Sequence, residues 1–306
     1  MSAKHLKLIA IALAVLLLLW GGSELFSHGS DTVTGSLAIP AMTAAEVDTI
    51  SFVKKADSIL LVKHGADWSA NGHRAVPDAV SDLLRALNDS VRPEVVAQDT
   101  SSWTRLGVDS AGARWLTVRR GVKGPFRLIL GARGQDYQSM YLRHPGDPRV
   151  YLWRGSLTNL ADRPVDEWRD KRIAALQPDS IVAVDVQRAK DPYTLKRTGK
   201  VWTLKGAATD SAAVARYLDR LKTITALGFA TPKDIDSTRA ARSARRLAVR
   251  GGHGLLLSLA FDSTGAVYLV HHLAGVGGEG PTVYRMNSWD VDGLTPASRS
   301  LLPTKK

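Results

Sequence analysis

The stretch W-S-A-N-G-H-R-A-V-P-D-A-V-S-D-L-L-R-A-L, Trp68 to Leu87, decides how the rest of the chain is read, because its pattern returns 134 residues later without a gap. Trp202 falls on Trp68, Val214 on Val80, Tyr217 on Leu83, Leu218 on Leu84 and Leu221 on Leu87. A repeat of this length means two copies of one supersecondary unit, so two similar modules are expected rather than one large core. Pro77 suits the first turn of a helix, and Val80, Leu83, Leu84 and Leu87 then stand at i, i+3, i+4 and i+7. That spacing makes one apolar stripe, which must lie on something. The repeated tryptophan predicts that Trp68 and Trp202 pack beneath their helices as core residues.

Upstream, Val47, Ile50 and Phe52, then Ile59 to Val62, read as two strands closed by a turn around Lys54 to Asp57, with a third short strand ending at Trp68. Downstream, Val95 and Val96 suggest a strand, and Trp103 to Asp109 a short helical turn ended by Gly107. Four apolar segments follow, Trp115 to Val118, Phe126 to Leu130, Tyr137 to Leu142 and Val150 to Trp153, separated by Gly and Pro as in an antiparallel meander. A helix from Val165 to Leu176, started by Pro164 and stopped before Pro178, is expected to bridge the modules.

The plan then repeats. Ile181, Val184 and Val186 replace Val47, Ile50 and Phe52, and Leu195 replaces Leu61. A helix from about Asp210 to Thr223 follows, Phe229 and Ala230 take the places of Val95 and Val96, and strands at Leu255 to Phe261, Ala266 to His271 and Thr282 to Met286 restore the meander. The fold class is therefore α+β: two tandem modules, each a mostly antiparallel sheet with one principal helix, at residues 47–160 and 179–294, with a bridging helix at 161–178 and a frayed tail at 295–306.

Residues Leu8 to Trp20 are unbroken apolar side chains behind Lys4 and Lys7. Residues 1–26 read as a transmembrane anchor in preference to a cleaved signal, since no A-x-A site follows and Trp20 stands where an interfacial aromatic is useful. Residues 27–46, polar and rich in turn formers, read as a tether. The two lysines predict a cytoplasmic N-terminus and a translocated body. The chain has 306 residues and 44% hydrophobic content, enough for two cores, and its lack of cysteine excludes disulfides and thiol chemistry. Its formal charge of +12 is spread along the chain and reads as a surface property.

Several local patterns, V-D-T-I-S-F at Val47 to Phe52, L-V-K before Trp68, L-G-V-D-S-A at Leu106 to Ala111 and W-R-D-K-R-I-A-A-L-Q-P-D-S-I at Trp168 to Ile181, resemble the bacterial family known as domain of unknown function 4340. The resemblance spans roughly Val47 to Trp289. It implies membrane-anchored envelope proteins, grouped with auxiliary components of ABC transporters of the gliding-motility type. It supplies no catalytic residues.

Motifs for chemistry are few. Gly275 to Gly280, G-V-G-G-E-G, satisfies G-x-G-x-x-G, yet Pro281 and a predicted strand follow where a dinucleotide site needs a helix, so it reads as a hairpin loop. His271 and His272 are adjacent on a predicted strand and point to opposite faces. No metal, cofactor or catalytic residue is assigned, and no G-x-S-x-G occurs. Arg239, Arg242 and Arg246 share a face if their segment is helical, and could then grip phosphate or an acidic polysaccharide; a solvated edge is the simpler reading. The expectation is a non-catalytic accessory or scaffold protein of the bacterial cytoplasmic membrane, with integral membrane partners such as ABC transporter subunits and no nucleic acid. The alternative is a periplasmic module that holds an acidic glycan or peptidoglycan fragment between the two modules.

Overall fold

The computed structural model describes residues 37–55, 57–89, 91, 93–231, 234, 243–273 and 282–303. The chain divides into Met1–Ala38 and Ile39–Lys306, and all the strands and helices that follow belong to the second unit. The expected N-terminal anchor falls outside the described residues, among which no helix is long and apolar enough to cross a membrane.

The first half forms β1 (Thr49–Lys54), β2 (Asp57–His64), β3 (Asp67–Ala70), β4 (His73–Arg74), α1 (Ala79–Leu87), β5 (Glu94–Ala97), α2 (Trp103–Leu106), β6 (Arg114–Arg119), β7 (Pro125–Arg133), β8 (Ser139–Arg143), β9 (Val150–Arg154), α3 (Leu157–Ala161) and α4 (Val165–Trp168). After β10 (Arg172–Ala175) the second half forms β11 (Ile181–Gln187), β12 (Tyr193–Thr198), β13 (Val201–Leu204), β14 (Ala207–Ala208), α5 (Ser211–Leu221), β15 (Thr223–Thr225), β16 (Gly228–Phe229), β17 (Arg245–Gly251), β18 (Gly254–Ser263), β19 (Tyr268–His272), β20 (Tyr284–Met286) and α6 (Ser288–Leu294). The fold is α+β, with mostly antiparallel sheets and few helices.

Two nine-stranded sheets carry the cores. One runs β4-β3-β2-β1-β6-β7-β8-β9-β5 and the other β14-β13-β12-β11-β17-β18-β19-β20-β16. Their registers correspond: Ile50 pairs with Leu61 and Leu61 with Ala70, while Val184 pairs with Leu195 and Leu195 with Leu204. Each of these six residues is buried and each lies 134 positions from its counterpart. The stripes behave as their spacing requires. Val80, Leu83, Leu84 and Leu87 are buried on α1, and Val214, Tyr217, Leu218 and Leu221 on α5. Asp210 caps α5 by accepting from the Ala213 amide at 2.8 Å, and Tyr217 Oη donates to the Leu294 carbonyl at 2.9 Å, which ties α5 to α6.

Three expectations need correction. Trp68 and Trp202 are only half-buried. Both stand on the core side of their strands but at the margin, opposite Lys63 and Arg197, and the residues two places on, Ala70 and Leu204, are the buried ones. The helix expected over Val165 to Leu176 ends at Trp168, and Arg172–Ala175 is a strand. Its backbone groups are claimed by distant partners, β15 above all, and that pairing overrides the local helical period. The tail from residue 295 is pinned through residue 301. The Leu301 side chain is buried, its carbonyl accepts from the Asp210 amide at 2.9 Å, and the Ser298 amide donates to Asp191 at 2.7 Å.

The L-G-V-D segment has a structural explanation. Gly107 takes φ +67° at the end of α2, a conformation that favours glycine, and the turn drives Val108 onto the outer face of the first sheet beside Ile129 and Val150. Asp109 closes the loop by accepting from the Gly112 amide at 2.8 Å. Arg143, nearly buried, donates to the Val108 carbonyl at 3.0 Å and stacks 3.6 Å from the Trp103 ring. Burial pushes its guanidinium pKa down, against the pull of Asp147.

Candidate functional site

Three places concentrate polar side chains: the joint between the sheets, the outer face of the second sheet, and one end of that sheet.

The joint is the segment Trp168 to Ala175. Trp168 is wholly buried, its ring 5.7 Å from that of Phe52, and its carbonyl accepts from the Val76 amide at 2.9 Å. The next side chain goes the other way, with the Arg169 guanidinium 3.5 Å over the ring of Phe229. Asp170 returns to the first half. Its amide donates to the Arg74 carbonyl at 2.8 Å, and its carboxylate accepts from Arg74 and Arg172, each at 3.0 Å. The Lys171 carbonyl then accepts from the Ala226 amide at 2.8 Å, and β10 pairs with β15. The W-R-D-K-R run therefore ties both sheets in alternation.

On the outer face of the second sheet, Arg246 and Arg250 alternate with the buried Leu247 and Val249 on β17. Arg250 pairs with Asp185 at 3.0 Å, and Asp185 also accepts from Thr194 at 2.7 Å. These residues line an open hollow of about 520 Å³. Arg239 and Arg242 fall outside the described residues. A helical face shared with Arg246 does not form, because the period-two burial of Leu247 and Val249 puts Arg246 on a strand. The glycine-rich segment Gly275 to Gly280 also falls outside the described residues.

At the end of the second sheet a larger hollow, about 650 Å³, opens among Arg188, Lys190, Ser243, Arg245, Phe261 and Tyr268. The two hairpins differ beside it. In the first sheet the β1–β2 ladder continues to Val53 opposite Ser58 and Lys54 opposite Asp57. In the second, Pro192 stands where Ser58 does, 134 positions on. Pairing stops at Val186 opposite Tyr193, and Arg188 to Asp191 are released from the ladder. Arg188 turns onto the tail and donates to the Thr295 carbonyl at 2.7 Å. Tyr193 donates to the Pro296 carbonyl at 2.8 Å, and burial drives its phenol well above its ordinary pKa. Asp191 is held below the usual carboxylate range by the Ser298 amide and hydroxyl. Arg245 is clamped, donating to Thr295 Oγ1 at 2.6 Å, Tyr268 Oη at 3.2 Å and Asp292 at 2.5 Å.

Ser243, Asp262 and His271 meet beside this hollow, a grouping absent from the linear pattern. The Ser243 hydroxyl donates to one oxygen of Asp262, and His271 Nε2 lies 3.5 Å from the other. A hydroxyl bonded to a carboxylate, with the imidazole beyond it, has no base placed to receive its proton by way of the ring, so the order is not that of a nucleophilic triad. Burial lowers the His271 pKa against the pull of Asp262. His272 points to the opposite face, its ring 6.2 Å from Tyr284, and burial lowers its pKa too. Among the described residues no group of three or more His, Asp or Glu side chains could hold a metal ion. Sequence reasoning missed Arg188 and Lys190, while Arg245 belongs to the arginine-rich segment that it singled out with Arg239, Arg242, Arg246 and Arg250.

The family model described as Domain of unknown function (DUF4340) matches residues 68–242, more than half of the chain, and the chain belongs to that family. None of the curated proteins and none of the solved structures matches it.

Proposed function

We propose that this protein is a non-catalytic accessory or scaffold subunit of an envelope assembly. In this reading the apolar run Leu8 to Trp20 anchors it in the cytoplasmic membrane, with Lys4 and Lys7 on the cytoplasmic side and two tandem copies of one α+β module outside. One observation carries it. The two sheets have the same strand order, and the Trp168 to Ala175 strap ties them alternately, so the body is a stiff, doubled surface. A partner that docks across both sheets meets them in a fixed relation, and little ordering entropy is lost on binding. Integral membrane proteins, ABC transporter subunits among them, are the partners this placement favours.

The test is extraction of the tagged full-length protein in mild detergent, followed by pull-down. Transporter permease or ATPase subunits should be recovered with it at reproducible stoichiometry. Repeated recovery of the protein alone, from membranes that contain those subunits, would overturn the proposal.

A further inference from the structure

We infer that the hollow at the end of the second sheet binds a sugar-sized organic acid carrying one carboxylate. The inference does not depend on the accessory role. The volume of about 650 Å³ lies within the range of small-molecule sites, and the walls divide by chemistry. Phe261, Tyr268, Ala189 and Ala244 offer apolar surface to the face of a ring. Ser243, Ser263 and the carboxylates of Asp191 and Asp262 can exchange hydrogen bonds with hydroxyl groups. Arg188 and Lys190, at the released hairpin end, supply the positive charge.

The charge balance selects the ligand. Arg245 is already paired with Asp292, so it shapes the wall rather than offering a free cation. Asp191 and Asp262 line the same hollow and repel a dianion, which disfavours a phosphate monoester and leaves a single carboxylate as the better match for Arg188 and Lys190. The first hairpin stays paired to Lys54 opposite Asp57, whereas the second stops at Val186 opposite Tyr193, so the released residues that line the hollow belong to the second sheet.

Isothermal calorimetry on the full-length chain tests this, with glucuronic acid and N-acetylmuramic acid as probes and glucose and N-acetylglucosamine as neutral counterparts. At least one acid should bind saturably, its neutral counterpart should not, and affinity should fall as salt is raised. Lys190→Gln is the deciding variant, since Lys190 is exposed and its replacement leaves the fold intact, whereas Arg188→Gln also loosens the tail at Thr295. Lys190→Gln should weaken binding by about tenfold, the loss of one charge-assisted contact. Arg250→Gln, on the opposite face, should leave it unchanged. Absence of saturable binding by either acid, equal binding of the neutral sugar, or full affinity in Lys190→Gln would each overturn the inference.

Discussion

Replacing Trp168 by Ala removes the side chain that plugs the strap into the first sheet, and the size of the loss can be worked from its surroundings. Trp168 has no exposed surface, while Trp68, the residue the repeat points to, is half-buried. A buried indole removes about 200 Å² from water, which at roughly 25 cal/mol per Å² corresponds to about 5 kcal/mol as an upper figure. Measured truncations of buried aromatics cost about 3 to 5 kcal/mol, because partial collapse of the cavity offsets some loss. Trp168→Ala should therefore destabilise the first sheet by about 3 to 5 kcal/mol. For Trp68→Ala, at a partly exposed site with less area at stake and room to relax, the loss should be smaller, about 2 to 3 kcal/mol. Urea unfolding followed by far-UV circular dichroism compares the two, with free energies taken from midpoint shifts at a common slope. The Phe52 ring beside Trp168 gives an internal check: the Phe52→Ala, Trp168→Ala pair should be non-additive by about 0.5 to 1.5 kcal/mol. If Trp68→Ala cost more than Trp168→Ala, the core would be organised around the repeat tryptophan and the strap would be peripheral.

Two further outcomes follow from the same geometry. Burial holds the His271 pKa below its ordinary value of 6.5, so on acidification the unfolded chain takes up a proton before the folded one does; stability should fall as pH drops below 6.5, and His271→Gln should make that fall shallower, whereas an unchanged slope in a pH series of urea midpoints would remove His271 from the balance. A Cβ on Gly131 would stand 2.5 Å from the Leu106 carbonyl oxygen and from Val108 Cγ1, so Gly131→Ala should cost about 1 to 3 kcal/mol in the same assay, and a neutral result would mean that the L-G-V-D turn does not press on β7.

The regular elements could be read from the chain because their signals are local. Alternation at Ile50 and Phe52 and the four-residue stripe of α1 each state a period, and a period fixes which face must be buried. What failed depends on distant partners. Val165 to Leu176 has a good helical pattern between two prolines, yet Val76, Arg74, Ala226 and β15 all bond to that segment, and none of them is near it in sequence. The tail looked free for the same reason: Tyr193, Asp191 and Arg188 reach it from about a hundred residues away. Trp68 failed differently. It lies on the core side of β3, but burial falls off along a strand towards its margin, and periodicity carries no information about that second direction.

The two sheets of corresponding strand order resolve part of this gap, since positions 134 apart show where they agree and where they depart. Agreement at Ile50 and Val184, or Leu61 and Leu195, marks residues that the sheet needs in any context. Departure is more telling. Ser58 and Pro192 occupy one position in hairpins of equal length, yet the second ladder ends two pairs sooner, and Arg188 and Lys190 of the released stretch line a hollow. No motif search would find such a place, because it is set by where a ladder ends rather than by a pattern of ligands. It is visible only by asking, position by position, where the pairing of one hairpin stops short of the other.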